Sequence, residues 1–218
     1  MIKKIIKKII PQRIINSLKL FLTKFKEIVT PNWLILTKWK KTGKPVPPPH
    51  YIKQLIIKKY QKMFNVDIFV ETGTYMGDMV CAMKNKFKKI YSIELSHDLR
   101  ERAVRKFKNQ KHITILWGDS GKVLCDIIPE IKERAIFWLD GHYSAGITAK
   151  GEKNCPIFEE LTAIFSSSIN HILLIDDARC FDGSDDYPTI KALSEFILLH
   201  RDKSEIEIDD DVIRVIIK

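Results

Sequence analysis

Acids recur at the ends of apolar, β-rich runs in this 218-residue chain, and each is followed by small or polar residues. The runs end in Phe69-Val70-Glu71-Thr72-Gly73-Thr74-Tyr75-Met76-Gly77, Ile93-Glu94-Leu95-Ser96, Trp117-Gly118-Asp119-Ser120, Leu139-Asp140-Gly141-His142 and Ile175-Asp176-Asp177-Ala178-Arg179. Gly73 and Gly77 allow a tight turn and a close backbone approach to a ligand. Glu71 stands where a dinucleotide fingerprint needs glycine, and its carboxylate would repel phosphate and suit a cationic ligand. Glu94 follows the glycine turn by about 20 residues, a spacing that suits a carboxylate bonded to ribose hydroxyls. Asp119 or Ser120 could cap a helix N-terminus. Asp140, Asp176 and Asp177 are three carboxylates on neighbouring tips, which repel one another unless protonated, hydrogen-bonded or shared by a cation. A hard divalent ion, Mg²⁺ first among them, answers that requirement with oxygen ligands.

The elements that would position these acids are legible in the periodicity. Apolar runs predict strands at 67–71, 90–94, 113–117, 135–139 and 171–175. Amphipathic patterns predict helices near 77–88, 97–109, 121–132, 156–167 and 188–200, and a further helix from His50 with Tyr51, Leu55, Ile56, Tyr60 and Met63 on its apolar face. Alternating strands and helices imply parallel pairing through right-handed crossovers. The ending differs, because Glu205–Ile208 and Val212–Ile217 are joined by acids with no helix between them and must form an antiparallel hairpin. The expected fold is therefore a three-layer, Rossmann-like α/β sandwich with a mostly parallel seven-stranded sheet closed by a hairpin. Ligands of such sheets bind beyond the carboxyl ends of the strands, where all of these acids lie.

The pattern E-x-G-x-x-x-G from Glu71 to Gly77 resembles motif I of the class I S-adenosylmethionine (SAM)-dependent methyltransferases, and the resemblance covers about residues 65–218. It implies cofactor contacts from Glu71, Thr72, Gly73, Gly77, Glu94, Asp119 and Ser120, with Asp119 in the place of the acid that contacts adenine. The acids after the fourth and fifth strands are similar to those of metal-dependent O-methyltransferases, above all the macrocin type that acts on sugars. That likeness implies Asp140, Asp176 and Asp177 as Mg²⁺ ligands, Asp140 and His142 as catalytic residues, and His142 as the general base. A neutral imidazole suits such a step near neutral pH. The lysine base of the catechol type is absent from the corresponding stretch, where Tyr143 stands nearest, and His142 could equally cap the turn. Residues 144–155 then read as a polar lid, with Lys150, Glu152 and Lys153 able to orient a substrate. Arg179 could contact an anionic group or pair with Asp177, and Asp182, Asp185 and Asp186 read as helix-capping acids.

Charge separates the chain into two parts. Its formal charge is +10, yet residues 1–45 hold twelve Lys or Arg against the single acid Glu27. The part from 46 to 218 is thus close to neutral, which does not favour a nucleic-acid-binding face. Ile2, Ile5, Ile6 and Ile9, and beyond Pro11 Ile14, Leu18, Phe21, Phe25 and Ile28, recur at helical spacing among lysines. A basic amphipathic arm of this kind suits an anionic membrane surface; packing on the domain or on a partner, or RNA attachment, are the other readings. No apolar run reaches the roughly 18 residues of a spanning helix, and lysines interrupt the continuous core a secretory signal needs. Lys41-Thr42-Gly43-Lys44-Pro45-Val46-Pro47-Pro48-Pro49 reads as a stiff polyproline linker. Cys81, Cys125, Cys155 and Cys180 lack metal-ligand spacing; Cys81 and Cys125 read as small core residues, and reduced thiols suggest a cytoplasmic address, with the arm at the inner face of the membrane.

The function these observations point to is metal-assisted O-methylation of a hydroxyl on a glycan or polar small molecule. The alternatives are a metal-independent methyltransferase of a small molecule or RNA, and a non-catalytic SAM-fold protein attached to membrane by its arm. A nicotinamide oxidoreductase is disfavoured by Glu71.

Overall fold

The computed structural model describes residues 31–141 and 155–218. The chain divides into two compact units, Met1–Pro45 and Val46–Lys218. In the first, the described residues form the helix α1 (Asn32–Lys41). The Trp39 indole donates to the Pro45 carbonyl at 2.9 Å, the Lys44 ammonium lies over the Trp39 ring, and Trp33 and Leu34 are exposed. The amphipathic pattern expected over residues 2–28 lies outside the described residues.

The second unit begins with α2 (His50–Phe64), which ends where Asn65 adopts a left-handed conformation. There follow β1 (Ile68–Thr72), α3 (Asp78–Met83), β2 (Lys89–Glu94), α4 (His97–Phe107), β3 (Ile113–Trp117) and α5 (Ser120–Ile127). After a short 3-10 turn come β4 (Ala135–Leu139), α6 (Ile157–Phe165), β5 (Ile172–Ile175), α7 (Ile190–His200), β6 (Glu205–Asp209) and β7 (Val212–Ile216). The seven strands form one sheet in the order β3-β2-β1-β4-β5-β7-β6. Pairing is parallel from β3 to β5, and β7 runs antiparallel to both β5 and β6. This is the expected Rossmann-like sheet with its closing hairpin.

Every residue of β1, β4 and β5 is buried, as strands covered by helices on both faces must be. One face of the sheet, including Val70, Ile93, Phe137, Leu139 and Leu173, packs on Leu124 of α5, Leu161 and Ile164 of α6 and Ile197 of α7. Burial of such side chains, worth roughly 1.5–3 kcal/mol each, fixes the strand register. Strand order reverses between β1 and β4, opening the crevice where doubly wound sheets take their ligands. Caps set the helix starts: the Ser96 hydroxyl accepts from Leu99 N, Asp119 from Gly121 N and Thr189 from Ala192 N.

Several local expectations differ from the structure. The first domain helix after β1 is six residues long rather than twelve, because the chain turns at Lys84–Lys86 to bring Lys88 and Lys89 back to the Asp67 carbonyl. On α2 the buried face is Ile52, Ile56, Ile57 and Tyr60, while Met63 is exposed. Cys125 is exposed rather than in the core, since the buried stripe of α5 runs through Leu124 and Ile127. Asp182, Asp185 and Asp186 cap no helix: Thr189 starts α7, and Asp182 instead accepts from the backbone and hydroxyl of Ser184.

Candidate functional site

The strand tips converge on Gly73 and Asp140. Gly73 has φ +84°, and a β-carbon there would come within 2.3 Å of the Asp140 carbonyl oxygen, so only glycine lets the β1 turn lie against the β4 tip. Thr72, the last residue of β1, accepts the Asp140 N–H on its hydroxyl at 3.1 Å. Ser120, at the start of α5, donates to Glu160 Oε1 at 2.6 Å, and both are buried. The α-carbon of Gly141 lies against Thr72, Ser120 and Glu160: a β-carbon there would meet their side-chain oxygens at 2.7–3.1 Å. These contacts tie β1, β4, α5 and α6 into one polar floor.

Glu71 lies one residue inside β1 rather than at its tip. It is buried and accepts the Ser92 hydroxyl at 2.5 Å, and Ser92 in turn meets Thr74 Oγ1 at 2.6 Å. Burial pushes the Glu71 carboxyl well above its ordinary range, the Ser92 hydrogen bond opposing and the Asp140 and Glu94 charges adding to the rise. Glu94 accepts Tyr75 N at 2.7 Å on one oxygen and Ser96 N at 2.8 Å on the other. It thus holds the glycine turn onto the end of β2, and each oxygen retains a lone pair for a hydroxyl donor. Gly77, φ +68°, precedes α3 and packs on the Phe107 ring. Asp119 caps α5 through Gly121 N at 3.0 Å.

Beside this turn, carboxylate oxygens of Asp140, Asp176 and Asp177 all lie within 4.8 Å of one another. The sequence brought the same three together. Asp176 is buried; its N–H donates to Leu139 O at 3.0 Å, stitching β5 to β4, and its Oδ1 accepts Asp177 N at 2.8 Å. Asp177 has φ 55°, a left-handed turn just before a short 3-10 helix at Ala178–Cys180. Arg179 pairs with Asp177 at 2.8 Å and with Asp211 in the β6–β7 turn. Of the two expected roles for Arg179, pairing is the one seen.

Lys53 was not foreseen. It reaches from α2 into the cluster, pairing closely with Asp176 and lying 3.1 Å from Asp177 Oδ1. Burial works to lower the Lys53 pKa, but Asp176, Asp177 and Asp140 outweigh it and hold the ammonium above its ordinary value. Burial and the Asp140 charge push Asp176 upward, with Lys53 acting against them. Three hard carboxylate donors fit a divalent ion of the Mg²⁺ class. Glu160 is the other residue missed. His142, Tyr143 and the Lys150, Glu152 and Lys153 expected in a lid lie outside the described residues.

No family model matches the sequence, and no curated protein matches it. Solved structures do. The chain has the Rossmann-like methyltransferase fold. It is similar to an O-methyltransferase from Bacillus cereus in complex with S-adenosylhomocysteine, with TM-score 0.55 and 12% identity over 90% of this chain and 96% of that one. The O-methyltransferase TomG from Streptomyces achromogenes, in complex with SAM, gives TM-score 0.55 and 12% identity over 90% and 95%. The S-adenosylhomocysteine-bound methyltransferase PaMTH1 from Podospora anserina gives 0.55 and 14% over 93% and 96%. At these identities the likeness is one of fold.

Proposed function

We propose that the chain is a SAM-dependent methyltransferase, with residues 46–218 as its catalytic domain, acting on a hydroxyl of a glycan or polar small molecule with the help of Mg²⁺. The observation that carries the reading is the apposition of the Gly73 turn and Asp140 at the switch point of the sheet, with Asp176 and Asp177 alongside. The structural neighbours that hold SAM or S-adenosylhomocysteine support the cofactor, and those named O-methyltransferases support the acceptor atom.

SAM supplies an electrophilic methyl group on a sulfonium sulfur. In this reading the Gly73 turn admits the cofactor against bare backbone, and Glu94 receives its ribose hydroxyls on the lone pairs left by Tyr75 and Ser96. Thr72, Gly77, Asp119 and Ser120 shape the rest of that pocket, and buried Glu71 fixes the floor through Ser92 rather than touching the cofactor as an exposed carboxylate. Asp140, Asp176 and Asp177 would hold Mg²⁺, which contributes Lewis-acid charge that eases loss of a hydroxyl proton. His142, two residues after Asp140 in sequence, takes that proton. The gain over solution comes from orienting the hydroxyl in line with the methyl group.

The basic arm suggests where the acceptor lies. Trp33 and Leu34 are exposed on α1 beside Lys38, Lys40 and Lys41, a composition that suits an anionic interface. Among the described residues no helix is long and apolar enough to cross a membrane. We place the protein in the cytoplasm at the inner membrane face, where a lipid-linked saccharide would be within reach.

Calorimetry on the full chain with SAM tests the core of the reading. Micromolar binding to the wild type, lost in Glu94→Ala, is the expected result, followed by methyl transfer to a saccharide hydroxyl that depends on Asp140 and His142. Absence of SAM binding removes the enzyme.

A further inference from the structure

The acid cluster already has a cation, and it comes from the chain. Lys53 projects from the buried face of α2 and places its ammonium against Asp176 and Asp177, with Asp140 close enough to add to its charge stabilisation. Arg179 supplies a second positive charge, also on Asp177 Oδ1 and shared with the buried Asp211. With Asp211 counted, four carboxylates face these two cations, and Lys53 is the cation held on oxygens of the cluster itself, Asp176 Oδ2 and Asp177 Oδ1.

A divalent ion would need the carboxylate oxygens that the ammonium holds: Asp177 Oδ1 and Asp176 Oδ2, the other Asp176 oxygen already accepting Asp177 N at 2.8 Å. Exchange of Lys53 for the ion would free both of those oxygens for coordination. Arg179 is anchored by Asp211 through both its side chain and its backbone N–H, the latter at 2.9 Å, and is the less free of the two to leave. The Lys53 side chain is 14% exposed, and its flexible stem gives the ammonium a way out to water.

We infer that the Lys53 ammonium and a divalent cation are alternative occupants of the Asp140–Asp176–Asp177 cluster, so that ion binding requires Lys53 to withdraw. This deepens the methyltransferase reading and rests on it for the ion's role. Lys53 acts here as an internal competitor that sets the ion concentration at which the site fills, and it keeps the acids compensated when no ion is present.

Mn²⁺ binding to the full-length wild type, Lys53→Met and Lys53→Arg, followed by electron paramagnetic resonance and by the melting temperature with Mn²⁺ or with chelator, tests this. Lys53→Met should bind Mn²⁺ at least tenfold more tightly than wild type, melt lower in chelator, and recover more on adding Mn²⁺. Lys53→Arg retains charge and gains a bidentate fork, so it should fold like wild type and bind Mn²⁺ at least threefold more weakly. Equal affinities across the three proteins, or no Mn²⁺ binding by any of them, would overturn the inference. If Lys53→Met does not fold, an unchanged affinity in Lys53→Arg is sufficient to overturn it. SAM titrated into the same samples separates the two claims: exchange without SAM binding sinks the methyltransferase reading and leaves the Lys53 inference standing, and SAM binding without exchange does the reverse.

Discussion

Glu94 Oε2 accepts the backbone N–H of Tyr75 at 2.7 Å, joining the end of β2 to the turn that follows β1. Tyr75 has φ 48°, a left-handed conformation unusual for a bulky side chain, so the bond holds a strained turn in place. Glu94→Ala orphans two amides, those of Tyr75 and Ser96, and should destabilise the fold by about 1–3 kcal/mol as well as abolish SAM binding. Glu94→Gln retains one acceptor oxygen and should lie between the two in both readouts. Urea denaturation beside SAM calorimetry checks this; a variant with unchanged affinity would remove Glu94 from the cofactor site.

Gly73 and Gly183 separate strain from collision. Both have positive φ, +84° and +96°, but a β-carbon at Gly73 meets the Asp140 backbone at 2.3 Å, whereas at Gly183 it meets only the Thr189 methyl at 3.1 Å. Gly183→Ala should therefore show the conformational penalty of about 1–2 kcal/mol. Gly73→Ala should exceed it clearly and also weaken SAM binding, because the β1 turn must move off β4. Comparable losses from the two substitutions in urea denaturation would show that the close approach is not rigid.

The sequence made the sheet, its closing hairpin and the three clustered aspartates legible, because each depends on local pattern: apolar runs, acids at their ends, short connections. Lys53 and Glu160 were missed although both left the same mark. Lys53 shares an i, i+3, i+4, i+7 face with Ile56, Ile57 and Tyr60, and Glu160 shares one with Ile157, Leu161 and Ile164. A single charge on such a face must find a buried partner, yet the partners lie 123 and 40 residues away, and no local rule names them. Glu71 illustrates the converse. Its position beside the turn was readable, but a shift of one residue in the strand end changed it from a tip to a buried acid bonded to Ser92.

His171 should make the fold sensitive to acid. It is buried at the start of β5, with Nδ1 accepting Ala135 N at 3.2 Å and Nε2 beside the Ser167 hydroxyl at 3.2 Å. Burial first, and the Arg134 and Arg201 charges with it, lower its pKa to about 4. The unfolded chain takes up the proton below an ordinary value near 6.5 while the folded chain does not. Stability should accordingly fall between about pH 6.5 and pH 4, by on the order of 3 kcal/mol for this group alone. His171→Gln should flatten that part of the profile, whatever its effect at pH 8. Urea midpoints of both proteins measured from pH 4 to pH 8 provide the comparison, and parallel profiles would contradict the assignment.

Ser120 and Glu160 bring a helix start and a helix face to the same spot, against Gly141 at the tip of β4. Ser120→Ala leaves a buried carboxylate short of a donor and should destabilise the chain by about 1–3 kcal/mol. Glu160→Gln keeps the shape but gives the Ser120 hydroxyl a weaker, uncharged acceptor, so the pair should show a coupling of roughly 0.5–3 kcal/mol in a double-mutant cycle. The functional readout should split from the stability one. Since Gly141 directly follows Asp140 of the proposed metal site, weakening of the Ser120–Glu160 bond should loosen the β4 tip and weaken Mn²⁺ binding in both single variants. SAM affinity should fall in Ser120→Ala, if Ser120 lines the proposed cofactor pocket, and change little in Glu160→Gln. A cycle with no coupling and unaltered Mn²⁺ affinity would reduce the pair to an ordinary helix contact.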